Sequence, residues 1–219
     1  MKLLLENWRK YLIERSLEPI EDDEIEDVVY GLSFSEVRKH LSNHFGKAKI
    51  TVTKSPLDLK RRYDSNDIGD DSSGWVKPDG LWYGCGTAWL NFIEREMPHR
   101  IAPPPGPGET GSQIWALKID MSTIKSLINP DEIENFTRKY KDIDRYIKTT
   151  IKTPDWIQVA QDYSGIECCP YPVGDWKFRM KYMWYYTIDM SSGCIWDTSA
   201  ITNSMLVAEL KEDGWEVYV

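Results

Sequence analysis

The strand-like segments in the C-terminal part of this chain come in succession rather than in alternation with helices. That order restricts the architecture more than any other feature. Gly165 to Cys169, Lys181 to Ile188, Gly193 to Trp196 and Trp215 to Val219 are all rich in residues that favour strands, and they follow a helix-rich middle. A doubly wound parallel sheet needs a helix between consecutive strands, so a run of strands argues for an α+β fold. The expectation is a single domain over 28–219, with a mixed, largely antiparallel sheet and flanking helices, preceded by an N-terminal segment over 1–27. No shift of composition near the middle of the 219 residues divides the chain further.

Local signals place the other elements. Ser33 and Glu36 have the spacing of a capping box, and Phe34, Val37, Leu41 and Phe45 recur at helical intervals before Gly46, which predicts a helix over 34–45. Ala48 to Thr53 alternates as a half-buried strand does, with Ile50 and Val52 on one face and Thr51 and Thr53 on the other. Gly80 to Gly84 reads as a short strand leading into a helix over 87–97, and Gln113 to Asp120 as a further strand. Pro98 to Gly111 holds five prolines and three glycines, which exclude helix and central strand and leave a long loop. Asn129-Pro130-Asp131-Glu132 and Thr153-Pro154-Asp155 each open a helix. Residues 64–74, rich in Asp, Ser and Gly, read as a loop. Trp184 to Asp189 and Ser191 to Asp197 read as two arms of a hairpin, with Asp189 and Asp197 capping turns. At the start, Leu4, Trp8 and Leu12, with Leu5 and Ile13 beside them, form the stripe of an amphipathic helix over 3–14. Seven acidic residues between Glu18 and Asp27 follow it as a solvated connector.

The charge balance narrows the partners. Thirty-five acidic against 27 basic side chains give a net charge of -8, which repels phosphate backbones and disfavours nucleic acid. No apolar run reaches the roughly 18 residues of a membrane span, and the three leucines at 3–5 are too few for a secretory signal. A soluble, cytoplasmic protein is expected. Cys85, Cys168, Cys169 and Cys194 lack paired-ligand spacing and are accompanied only by His40, His44 and His99, so neither a metal site nor a disulfide framework is expected. The thiols are expected to be reduced and buried. No nucleophile pattern, zincin motif, Walker loop or dinucleotide glycine fingerprint is present.

Two segments concentrate groups capable of chemistry. In Lys77 to Gly84, glycines flank Trp82 and Tyr83, allowing a ligand close to the backbone and a ring on which nicotinamide can stack. In Asp162 to Glu167, a turn feeds a strand that carries Glu167 between Ile166 and Cys168. A carboxylate in apolar company is costly unless it is paired or used. Used, it would orient a ribose hydroxyl or stabilise the cationic sugar formed as a glycosidic bond breaks. Otherwise it is an edge-strand glutamate facing water.

The ordered set Ile50-Thr51-Val52-Thr53-Lys54, Gly80-Leu81-Trp82-Tyr83, Ile114 to Asp120, Gly165-Ile166-Glu167 and Ile195-Trp196-Asp197 resembles the strand succession of ADP-ribosyltransferase-like proteins over about residues 48–200. The resemblance implies that Thr53 or Lys54, with Gly80, Trp82 and Tyr83, bind NAD. It further implies that Tyr83 and Glu167 are catalytic, that NAD is the substrate with no metal required, and that the acceptor is an unidentified protein. The chain departs from the family in having no arginine or histidine on the early strand, no Ser-Thr-Ser triplet, and no Glu or Gln two residues before Glu167. Leu3 to Glu14 is similar to leaders on proteins of large tailed bacteriophages, some of which are cut after Leu-x-Glu, as in Leu4-Leu5-Glu6 and Leu12-Ile13-Glu14. This second resemblance implies a phage-encoded protein in the host cytoplasm or packaged in a virion, with a capsid partner bound through residues 3–14. The alternative reading is a noncatalytic virion or interaction protein whose N-terminal helix docks on a partner.

Overall fold

A computed structural model describes residues 28–60, 63, 77–141, 153–172 and 176–218. The expected helix over 3–14, the acidic connector and the loop over 64–74 lie outside the described residues. In chain order the elements are β1 (Val28–Leu32), α1 (Phe34–Phe45), β2 (Lys49–Thr53), β3 (Leu81–Cys85), α2 (Ala88–Glu96), β4 (Gln113–Ile119), β5 (Ile124–Ser126), α3 (Pro130–Lys139), α4 (Trp156–Asp162), β6 (Gly165–Cys168), α5 (Trp176–Lys181), α6 (Met183–Tyr186), β7 (Ser192–Ile195), β8 (Ile201–Lys211) and β9 (Gly214–Tyr218).

The strands form one sheet in the order β1-β9-β8-β4-β2-β3-β7-β6-β5. Its neighbours pair antiparallel except β5 with β6, which run parallel. The mixed, largely antiparallel α+β architecture expected from the strand succession is therefore present. No helix among the described residues is long and apolar enough to cross a membrane.

The helix starts follow from their caps. The Ser33 backbone N–H donates to the Glu36 carboxylate at 2.8 Å while the Ser33 hydroxyl accepts from the Glu36 backbone N–H, a reciprocal box that satisfies two otherwise orphaned donors of α1. Asn129 caps α3 ahead of Pro130, and Asp155 accepts from the backbone N–H groups of Ile157 and Gln158 at the start of α4.

Lys181 to Ile188 is not a strand. It is the end of α5, followed by α6, so the expected hairpin with an arm over 184–189 does not form, and β7 pairs instead with β3 and β6. The reason is packing. Tyr182, Tyr185 and Ile188 recur three apart, and with Trp184 they are buried together in one aromatic cluster, which a helical path can achieve and an alternating strand cannot. Asp197 does cap a turn, the 3₁₀ turn Thr198–Ala200, whereas Asp189 faces Lys77 at 3.8 Å.

Directly paired residues on neighbouring strands share a face, and this assigns the core. On one face, Val37, Leu41 and Leu90 of α1 and α2 pack against Ile50, Ile114 and Ala116. Further along the same face, Ile133, Phe136, Trp156, Val159 and Trp184 from α3, α4 and α6 pack against Ile166, Cys168 and Cys194. The opposite face carries Leu81, Tyr83, Leu117, Ile119, Ile124 and Ile195. Leu57, Leu59, Met121 and Ala200 cover it from loops and 3₁₀ turns rather than from α-helices.

Candidate functional site

Among the described residues no α-helix covers this second face, and it becomes polar at one end. Along β2 the two-residue alternation puts Lys49, Thr51 and Thr53 on that face, with Lys49 directly opposite Cys85 on β3. One row further in, Tyr83 on β3 pairs with Gly193 on β7, which pairs in turn with Glu167 on β6. Gly193 makes the row possible. A Cβ at that position would lie 2.3 Å from both Cζ and the hydroxyl oxygen of Tyr83, so only glycine lets the ring cross the middle strand. The Tyr83 hydroxyl then donates to Glu167 Oε2 at 2.9 Å, joining two residues 84 positions apart.

This carboxylate is neither at the sheet edge nor facing water, because β5 and β7 flank its strand and Glu167 is 4% exposed. It is paired: Lys49 Nζ lies 2.5 Å from Oε2. The same ammonium is 3.4 Å from Cys85 Sγ and 6.0 Å from the centre of the Tyr83 ring. Burial pushes the Tyr83 hydroxyl well above its ordinary titration range, and the adjacent Glu167 charge pushes it further. Tyr83 is therefore a fixed donor to the acid across the physiological range.

The sulfurs close the site. Cys85 is bonded to Cys169 across 84 residues, which corrects the expectation that all four thiols are reduced. Sequence spacing carries no sign of this bridge. It arises because β3 ends at Cys85 and β6 ends at Cys168, and both ends pass the start of β7. Cys85 Sγ is 3.6 Å from Glu167 Oε2, a van der Waals approach, since a disulfide sulfur has no proton to donate. The Cys85 and Cys169 sulfurs and a Glu167 oxygen lie within 4.8 Å of one another, a spacing that metal donors can have. Here the sulfurs are bonded to each other and the Lys49 ammonium takes the carboxylate. Cys168 and Cys194 are buried on the helix-covered face, where burial raises both thiols far above the usual range.

The other expected site residues divide. Thr53 stands on the same face as Glu167, and its hydroxyl is buried with no hydrogen-bond partner among the described residues, as are Gln113 Oε1 and Trp115 Nε1 on the neighbouring strand β4. Lys54, just past β2, is exposed. Trp82 points to the opposite face and packs into the aromatic core, with Lys77 Nζ 5.4 Å from its ring centre. Gly80 admits no ligand: a Cβ there would sit 2.5 Å from Cys194 Sγ and 2.6 Å from the Ile195 carbonyl oxygen, so the close approach is made by the protein's own chain. The Tyr83 ring is fully buried and does not present a surface on which nicotinamide can stack.

Lys49, Cys85, Cys169 and Gly193 belong to the site without having been singled out in the sequence. Only Lys49 had a readable signal, since it precedes Thr51 by two residues on the face already assigned to Thr51 and Thr53. No protein-family model, curated protein or solved structure matches the chain. The site is read from its own chemistry.

Proposed function

We propose that the chain is an ADP-ribosyltransferase-like enzyme that binds NAD against the face of its sheet that carries Lys49, Tyr83 and Glu167. It breaks the bond between nicotinamide and ribose and passes ADP-ribose to an acceptor outside the chain. The observation that carries this reading is the Glu167 carboxylate, fixed by Lys49 at 2.5 Å and by the Tyr83 hydroxyl at 2.9 Å at one end of that face.

Breaking the glycosidic bond sends the electron pair to the nicotinamide nitrogen and leaves positive charge on the sugar. A fixed anion beside that carbon stabilises the developing charge without having to reorganise. Lys49 faces Glu167 in a nearly dry setting, and Tyr83 donates to the same carboxylate oxygen, Oε2. Both are positioning residues in this scheme, and Tyr83 has no stacking role. Thr53 Oγ1, Gln113 Oε1 and Trp115 Nε1 are buried polar atoms on the same face with no hydrogen-bond partner among the described residues, as expected where a ligand supplies the missing partners. The acceptor's nucleophile captures the sugar carbon, and its proton passes to Glu167 or to water.

The test compares the native chain with Glu167→Gln, which keeps the shape of the side chain and removes its charge. Native protein is expected to release nicotinamide from NAD, and the variant to release at least a hundredfold less, on the scale of losing one fixed electrostatic partner, while still showing a thermal shift with NAD. Native protein that neither releases nicotinamide nor gains thermal stability with NAD overturns the proposal.

A further inference from the structure

We propose that Cys85 and Cys169 form a reducible pair, a thiol–disulfide exchange site for small dithiol reductants, in which Cys85 is the thiolate-bearing member and shares Lys49 with Glu167. The four cysteines divide sharply. Cys168 and Cys194 are sealed in the core, whereas Cys85 and Cys169 are each partly exposed, and Cys169 is followed by the exposed Pro170. A bridge within reach of solvent is open to thiolate attack.

The charges decide the direction of attack. The Lys49 ammonium lies 3.4 Å from Cys85 Sγ, and sulfur beside a cation is the better leaving group. A reductant thiolate attacks Cys169 Sγ, the disulfide breaks, and its electron pair leaves on Cys85 Sγ against Lys49. The second thiol of the reductant, as its thiolate, then attacks the reductant's own sulfur in the mixed disulfide. Cys169 is expelled as a thiolate that takes a proton from water, and the reductant leaves as its cyclic disulfide. Two electrons pass in all, from the dithiol to the protein. Among the described residues the charged groups in contact with Cys85 are Lys49 on β2 and Glu167 on β6, with the protonated Tyr83 hydroxyl bonded to Glu167. Lys49 stabilises the thiolate and Glu167 opposes it.

The consequence for Glu167 follows from one ammonium serving two anions. With the disulfide closed, Lys49 serves Glu167 alone at 2.5 Å, and after reduction the Cys85 thiolate competes for it. The redox state of the bridge thereby sets how fully Glu167 is neutralised. Any effect of this on turnover rests on the NAD reading above, whereas the thiol chemistry does not.

The test reduces the full chain with dithiothreitol, removes the reductant, and follows alkylation of Cys85 and Cys169 by iodoacetamide from pH 5 to 10, with each peptide quantified by mass spectrometry. Before reduction neither cysteine should label. After it, Cys85 is expected to reach its half-maximal rate at least one pH unit below Cys169. Lys49→Gln should abolish that difference and slow Cys85 labelling about tenfold at pH 7. Glu167→Gln should move the Cys85 midpoint lower still, and this arm stands even if the Lys49 variant does not fold. A Cys85 midpoint at or above that of Cys169, an unmoved or raised midpoint in Glu167→Gln, or full labelling before reduction overturns the proposal. None of these readouts uses NAD, so the proposal stands or falls separately from the enzyme assignment.

Discussion

Lys49 and Glu167 are close enough, and dry enough at 14% and 6% side-chain exposure, that removing either one strands the other's charge. A buried pair broken on one side costs about 3–5 kcal/mol, while removing both charges together costs much less. In a double-mutant cycle, Lys49→Met and Glu167→Gln are each expected to destabilise strongly, with the double variant recovering at least 1 kcal/mol relative to their sum. Urea denaturation of the four proteins measures this, and additive losses would mean the pair is solvated. Tyr83 gives a second prediction at this scale. Burial and the Glu167 charge raise its folded pKa above the unfolded value of about 10. Its stabilising contribution is therefore fully present below pH 10 and is lost as pH rises above it. Tyr83→Phe should show a smaller drop in stability between pH 8 and pH 10.5 than the native chain, and equal drops would contradict a buried, protonated hydroxyl. Glu167 stood out in the sequence because an acid between Ile166 and Cys168 must be paired or used. Its partner was marked only by its strand face, shared with Thr51 and Thr53, and nothing local links Lys49 to an acid 118 positions away.

Elements with local start signals were readable, and those shaped by the tertiary core were not. The helix over 34–45 carries its apolar spacing in twelve consecutive helical residues, bracketed by its capping residue Ser33 and its closing Gly46, and it forms with those bounds. In β8, by contrast, Ile201 to Lys211 begins with polar Thr202, Asn203 and Ser204, and a register shift against β4 leaves Val207 and Ala208 both buried, so the two-residue period is broken within the strand itself. Lys181 to Ile188 looked like a strand by composition, yet its spacing of Tyr182, Tyr185 and Ile188 was helical all along. There, period was the better guide than residue type. The helical end of this region is tied to α3 by the Trp184 indole N–H, which donates to the Thr137 hydroxyl at 2.9 Å between two buried side chains. Thr137→Val keeps the shape and removes the acceptor, leaving a buried donor unmet. It should cost about 1–3 kcal/mol in thermal or urea unfolding with helical content unchanged. A loss below 0.5 kcal/mol would mean that the indole finds another partner.

Across the whole molecule, the site depends on strands drawn from distant parts of the chain: β2 and β3 from the first half, β6 and β7 from the second, adjacent only because the sheet interleaves them. Such contacts leave no mark on sequence spacing, which is why the α+β class was legible while the meeting of Lys49, Tyr83, Cys85 and Glu167 was only half so. The disulfide ties these two portions together over a separation of 84 residues. Closing a loop of that length restricts the unfolded chain, and bridges of this kind contribute roughly 2–4 kcal/mol. Dithiothreitol is therefore expected to lower the unfolding free energy of the native chain, measured by urea denaturation, by an amount in that range, with a correspondingly lower midpoint. A variant carrying both Cys85→Ser and Cys169→Ser should match the reduced protein and be insensitive to reductant. The bridge joins strand ends already held by the hydrogen bonds of β7, so the loss should appear as earlier cooperative unfolding and not as a changed fold, with the far-ultraviolet circular dichroism of the reduced protein unaltered below the transition. A native chain whose midpoint ignores reductant would show that the two sulfurs are not bonded in solution, and the competition for Lys49 would then be in force at all times.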